Sequence, residues 1–152
     1  MSLFPQFDAM SLKDISEALV RANAPMMNHI GFEALDAYVR EEKRLRVAFM
    51  VRAEFCHSGG RIAQGGFVTA WLDSAMAHVV LLDSKGVENI ASLEIKVSFI
   101  AAVSPGPVVA EARIVKKGKR IAFLEANLYD LQGKHLASAT QTAMLTAMPS
   151  GN

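Results

Sequence analysis

The spacing of apolar residues along the chain changes character several times, and each change marks an element. Leu12, Ile15, Leu19 and Ala22 recur on one helical face, which predicts an amphipathic helix over residues 12–23. Ser11 stands at its N-cap position with Asp14 at the third position, and Pro25 and Gly31 punctuate the exit. Residues 35–40 and 44–52 then read as two strands joined by the charged turn 40–43. In the second, Leu45, Val47, Phe49 and Val51 alternate with Arg46 and Arg52.

After the loop His57-Ser58-Gly59-Gly60, residues 64–82 form one long apolar stretch. Its length and its alanine and methionine content favour a buried helix over a strand. Strand patterns fill the rest. Leu93, Ile95, Val97 and Phe99 alternate with Glu94, Lys96 and Ser98, and further strands are predicted over 108–115, 121–129 and 135–146, separated by turns rich in Gly, Pro and Lys. The order is short helix, two strands, long helix, then four strands in antiparallel succession. It predicts an α+β domain in which a curved antiparallel sheet covers one central helix. A single domain is expected over residues 1–152, with 1–24 as a helical extension and 147–152 as a tail.

Composition narrows the possibilities. At 152 residues the chain suffices for one core. A formal net charge of +1 argues against a general nucleic-acid binder. Charged residues are only 20% of the chain and its mean hydropathy is +0.22, which suggests apolar surface covered by another subunit. Cys56 is the one cysteine, so no internal disulfide or Cys-rich zinc site is expected, and it reads as a small buried residue. His29, His57, His78 and His135 lack metal-ligand spacing; His78 reads as a partnered helix residue, and His57 lies beside Ser58 near the candidate site. The N-terminal residues do not resemble a signal peptide. The apolar run 67–82, interrupted by Asp73, Ser74 and His78, falls short of the roughly 20 residues that span a bilayer. A cytoplasmic protein without membrane association is the expectation.

The chemistry points to residues 64–77. Gln64-Gly65-Gly66 opens the long helix, where free N–H groups attract a carbonyl oxygen or a developing oxyanion. Asp73 is a lone carboxylate in an apolar run, costly unless paired, hydrogen-bonded or functional. This glycine pair, with Asp73 eight residues beyond Gly65, resembles the His-Gly-Gly…Asp signature of hotdog-fold acyl-CoA thioesterases, nearest to the phenylacetate-pathway type. The resemblance extends through residues 91–99, through 116–123 and through the turn Asp130-Leu131-Gln132-Gly133-Lys134, covering about residues 25–146.

The resemblance implies hydrolysis of an acyl-CoA, aromatic or of short to medium chain, to a free acid and CoA, with no metal or organic cofactor. It makes Asp73 the catalytic carboxylate, as nucleophile or as general base, and the Gly65 N–H the group that polarises the thioester carbonyl. Gln64, Gly66, Ser58 and Ser92 would position the substrate, Ser92 by helping to place the attacking water. Phe99 and the turn Lys116, Lys117, Gly118, Lys119 and Arg120 would lie along CoA. Two positions depart from the family pattern: Gln64 replaces the usual His, and Ser58 replaces Asn. A non-catalytic acyl-CoA-binding protein and a hotdog hydratase or dehydratase are the alternatives; the latter would need a catalytic His that the glycine–Asp pattern does not supply.

One consequence follows from geometry alone. On one helix, eight residues separate Gly65 from Asp73 by roughly 12 Å, too far for both to touch one carbonyl. Either they serve different ends of a ligand, or the site pairs Gly65 of one chain with Asp73 of another. The resemblance implies the second, in a homodimer or dimer of dimers. Arg113, Lys116, Lys117, Lys119 and Arg120 place five cations within eight residues. They read as a solvated hairpin tip or as a contact for the phosphates of CoA; no aromatic platform accompanies them for nucleic acid.

Overall fold

A computed structural model describes Phe4 and residues 6–148; the last residues of the expected tail, 149–152, lie outside this range. Helix α1 (Leu12–His29) begins with a capping box: Ser11 Oγ accepts the Asp14 N–H at 3.2 Å, and the Asp14 carboxylate accepts the Ser11 N–H at 2.8 Å. The helix does not end at 23. Asn23 leaves helical geometry (φ −130°, ψ 30°), and the chain re-enters a second helical segment that contains Pro25. A proline is tolerated there because it falls in the first turn after the kink. Gly31 then turns the chain at φ +69°, where an added Cβ would lie 2.2 Å from the Met50 carbonyl oxygen.

The strands are β1 (Phe32–Val39), β2 (Arg44–Val51), the short β3 (Cys56–His57) and β4 (Ile62–Ala63) and, after helix α2 (Gly65–Asp83), β5 (Glu88–Phe99), β6 (Gly106–Lys117), β7 (Ile121–Asp130) and β8 (His135–Ala147). Six of them form one antiparallel sheet in the order β1-β2-β6-β7-β8-β5. The four last strands are therefore not neighbours in succession. From α2 the chain passes to the far edge, lays β5 beside β8, and crosses back to set β6 against β2. Alternation predicts which face of a strand is buried, not which strand it pairs with. β3 and β4, too short to show alternation, were not expected.

The sheet curves around α2. Val68, Trp71, Leu72, Ala75, Met76 and Val79 are buried, and the Trp71 Nε1–H donates to the Ile30 carbonyl at 2.7 Å. Each large apolar side chain buried there contributes about 1.5–3 kcal/mol. By length and composition α2 could cross a bilayer, but 56% of its apolar window is buried inside the fold. On β8, Ala137, Ala139 and Ala143 face inward and are buried. Such small side chains let the helix lie close to the sheet. The inward residue between Ala139 and Ala143 is Gln141, also buried. An irregularity between Ser92 and Glu94 shifts the β5 register against β8, and Leu93 is 59% exposed. This bulge lets Ser92 share the helix-facing side with Phe99, although regular alternation would oppose them.

Candidate active site

The first group of residues gathers where α2 begins. Gln64 is the N-cap, and its side-chain Oε1 accepts the Gly66 N–H at 2.6 Å. A Cβ at Gly66 would stand 2.6 Å from that oxygen, so a larger residue there would push the Gln64 side chain out of its present position. The Gly65 N–H finds no acceptor among the described residues. A donor left open at a helix start, where the macrodipole is positive, is suited to a carbonyl oxygen or an oxyanion. The Phe99 ring lies over Gly65, 3.1 Å from where a Cβ would be. His57, Ile62, Gly65, Val68 and Phe99 line a cleft of about 360 Å³. Ser58 does not line it. It takes a left-handed conformation (φ +56°), with Oγ 2.8 Å from His57 Nδ1 and its carbonyl accepting from Arg61 Nε.

The second group lies further along the helix. Asp73 is half-buried, and its Oδ1 accepts hydrogen bonds from Ser92 Oγ at 3.0 Å and from Gln141 Nε2. Gln141 Nε2 also donates to Ser92 Oγ at 2.8 Å. Sequence reasoning missed Gln141. The available signal was its parity, because it shares the inward face of the last strand with three alanines. Asp73 opens onto a cleft of about 280 Å³ walled by Leu19, Met26, Ile30, Ala77 and Leu81, with His78 among its lining. Burial pushes the His78 pKa down to about 4, against a smaller opposing effect of its bond to Ser74.

The basic hairpin tip divides into two kinds of cation. Lys117 Nζ lies 2.9 Å from Asp83 and 2.5 Å from Glu88, and Lys43 Nζ lies 3.3 Å from Asp83. Burial opposes charge on both Lys117 and Asp83. Pairing outweighs it, holding Lys117 above and Asp83 below their ordinary ranges. Arg113 is paired with Glu125 at 2.6 Å. Lys116, Lys119 and Arg120 are exposed and have no carboxylate partner among the described residues. No group of three or more His, Cys, Asp or Glu able to hold a metal occurs among those residues.

Within one chain these groups are spread along α2. Gly65 and Phe99 stand at its start, Asp73 with Ser92 and Gln141 near its middle, and the hairpin tip at its end beside Asp83. Gly65 and Asp73 occupy one continuous helix, so roughly 12 Å separates them along the axis. The sequence profile of the thioesterase superfamily matches residues 60–137, just over half of the chain, spanning the glycine pair, Asp73, Ser92 and the basic hairpin. The chain belongs to the thioesterase superfamily. Thioester hydrolysis is the chemistry that comes with this membership, and the helix wrapped by an antiparallel sheet is its hotdog fold. A Saccharolobus solfataricus protein provisionally classed as an esterase is 28% identical over 142 residues, 93% of this chain and 87% of its own. Among solved structures, a thioesterase of Haemophilus influenzae superposes with a TM-score of 0.78 at 17% identity, covering 95% of this chain and 96% of that one. The phenylacetic acid degradation protein PaaI of Thermus thermophilus gives 0.66 at 25% identity, covering 79% and 97%.

Proposed function

We propose that this thioesterase hydrolyses acyl-CoA to free acid and CoA at a site assembled from two subunits. The observation that carries this reading is the pairing of an open N–H at Gly65 with a hydrogen-bonded carboxylate at Asp73, roughly 12 Å away on one continuous helix. In this reading Gly65 of one chain polarises the thioester carbonyl while Asp73 of its partner supplies the electrons. These pass directly to the carbonyl carbon or through a water whose proton Asp73 takes. Collapse of the tetrahedral intermediate breaks the C–S bond. On the water route the free acid is released, and the proton taken by Asp73 passes to the departing CoA thiolate. Direct attack instead leaves a mixed anhydride on Asp73, which a water hydrolyses to the free acid and the regenerated carboxylate, its proton passing to the thiolate. Ser92 holds the carboxylate. Gln64 and Gly66 shape the turn that leaves the Gly65 N–H open, and Ser58 sets the loop whose neighbour His57 reaches the Gly65 cleft.

The cleft beside Asp73, apolar and of about 280 Å³, suits an aromatic or a short- to medium-chain acyl group. Phe99, exposed over Gly65, and the unpaired cations Lys116, Lys119 and Arg120 contact CoA, the cations through its phosphates. Thiol release from a panel of acyl-CoAs, wild type beside Asp73→Asn, tests the reading. Release by the wild type, lowered at least 100-fold by the substitution, is expected. Binding of acyl-CoA without release would favour a sensor instead.

A further inference from the structure

We infer that Gln141 is a positioning residue that fixes one oxygen of Asp73 and leaves the other, Oδ2, as the reacting oxygen; this rests on the thioesterase reading above. Gln141 is 3% exposed on a face otherwise made of Ala137, Ala139 and Ala143, where an apolar residue would cost nothing to bury. Its Nε2, Ser92 Oγ and Asp73 Oδ1 form a closed triangle of hydrogen bonds. Oδ1 therefore receives two donors, and Oδ2 receives none among the described residues. Rotation of an aspartate carboxylate is soft and nearly two-fold, so an untethered Asp73 would exchange its two oxygens freely. The triangle removes that equivalence. Ser92 alone would do so poorly, because a hydroxyl swivels to suit either partner; the amide of Gln141 fixes the hydroxyl as well.

The other end of the same side chain supports a role in placing Asp73. Gln141 Oε1 is buried and accepts no hydrogen bond from the described residues; an acceptor unpaired within its own chain costs stability. Turning the amide over would set its oxygen against Asp73 Oδ1 and leave the NH2 group unpaired instead. The carboxylate thus dictates which way the amide faces, at the expense of the amide's own acceptor.

Steady-state hydrolysis, thermal unfolding and NMR of the intact protein test the inference together. Gln141→Met keeps the bulk and removes the amide. Its kcat is expected to fall about ten- to a hundredfold, the loss of one charge-assisted hydrogen bond, with KM changed less than about threefold and the melting temperature equal or higher. Gln141→Glu sets a second carboxylate against Asp73, and its kcat should fall below that of the Met variant. A Met variant with kcat within about twofold of wild type overturns the inference, as does a loss of kcat in step with a lowered melting temperature. The third readout needs no turnover. The Gln141 side-chain amide signals of the wild type should lie downfield of a free glutamine and return toward it in Asp73→Ala. Unmoved signals overturn the inference. A wild type without thioesterase activity whose Gln141 signals respond to Asp73→Ala would count against the proposed reaction instead.

Discussion

His78 sits at the wall of the cleft that holds Asp73, with a pKa near 4 in place of 6.5 because burial disfavours the charged ring. As pH falls through 6.5 an unfolded chain takes up a proton on this residue, whereas the folded chain resists until about 4. The stability that neutral His78 carries is therefore complete above about pH 6.5 and is lost progressively down to about pH 4, by about 3 kcal/mol at most. Unfolding in urea at several pH values, wild type beside His78→Gln, is expected to show a smaller pH dependence in the variant across that window. Equal slopes would assign the acid loss to other groups. At this scale Asp73 and Gly65 were legible from sequence because each contradicts its surroundings: a carboxylate in an apolar run, and two glycines where a helix starts. Gln141 was not, since Thr140 and Thr142 flank it and make the segment look like an exposed polar strand. Only its parity with the inward alanines distinguishes it.

The β6–β7 hairpin shows how far an element can be read from its residues. Its five cations look alike along the chain, yet folding assigns them different work. Lys117, 19% exposed and set between Asp83 and Glu88, ties the hairpin to the end of α2, while Lys116, Lys119 and Arg120 face solvent. Lys117→Met is expected to cost about 2 kcal/mol of stability by leaving two carboxylates short of a cation. Replacing Lys116, Lys119 and Arg120 together by alanine should leave the melting temperature within about 1 °C. The same triple variant should raise KM for acyl-CoA roughly tenfold and leave hydrolysis of a thioester without the nucleotide unchanged. Equal effects on both substrates would remove these cations from CoA recognition. The six long strands and the start of α1 followed from periodicity, and α2 from its length and its alanine and methionine content. The sheet order did not, because the partner of β5 is set by where the chain crosses after α2. Nor did the bulge at Leu93, which leaves no mark in a pattern that alternates through it.

For the molecule as a whole, the separation of Gly65 from Asp73 along α2 becomes a question of how many chains make one site. Two inactive variants can answer it. Asp73→Asn removes the carboxylate, and Gly65→Val drives a branched side chain into the Phe99 ring, which already lies 3.1 Å from where a Cβ would be. If each site takes Gly65 from one subunit and Asp73 from the other, a mixed dimer of these variants contains one site with both groups intact and one with neither. Random reassortment after mild unfolding and refolding of an equal mixture places half of the chains in mixed dimers. Thioesterase activity should then return to about a quarter of the wild-type level, although each parent alone is silent. Native mass spectrometry of differently tagged variants would count the mixed dimers. Their presence without recovered activity would place both groups of a site on one subunit, at different ends of the ligand. Recovery in proportion to their number would make the 152-residue chain half of the catalytic unit, and it would explain why an apolar, sparsely charged chain leaves Phe99 and Ile100 exposed beside the start of α2.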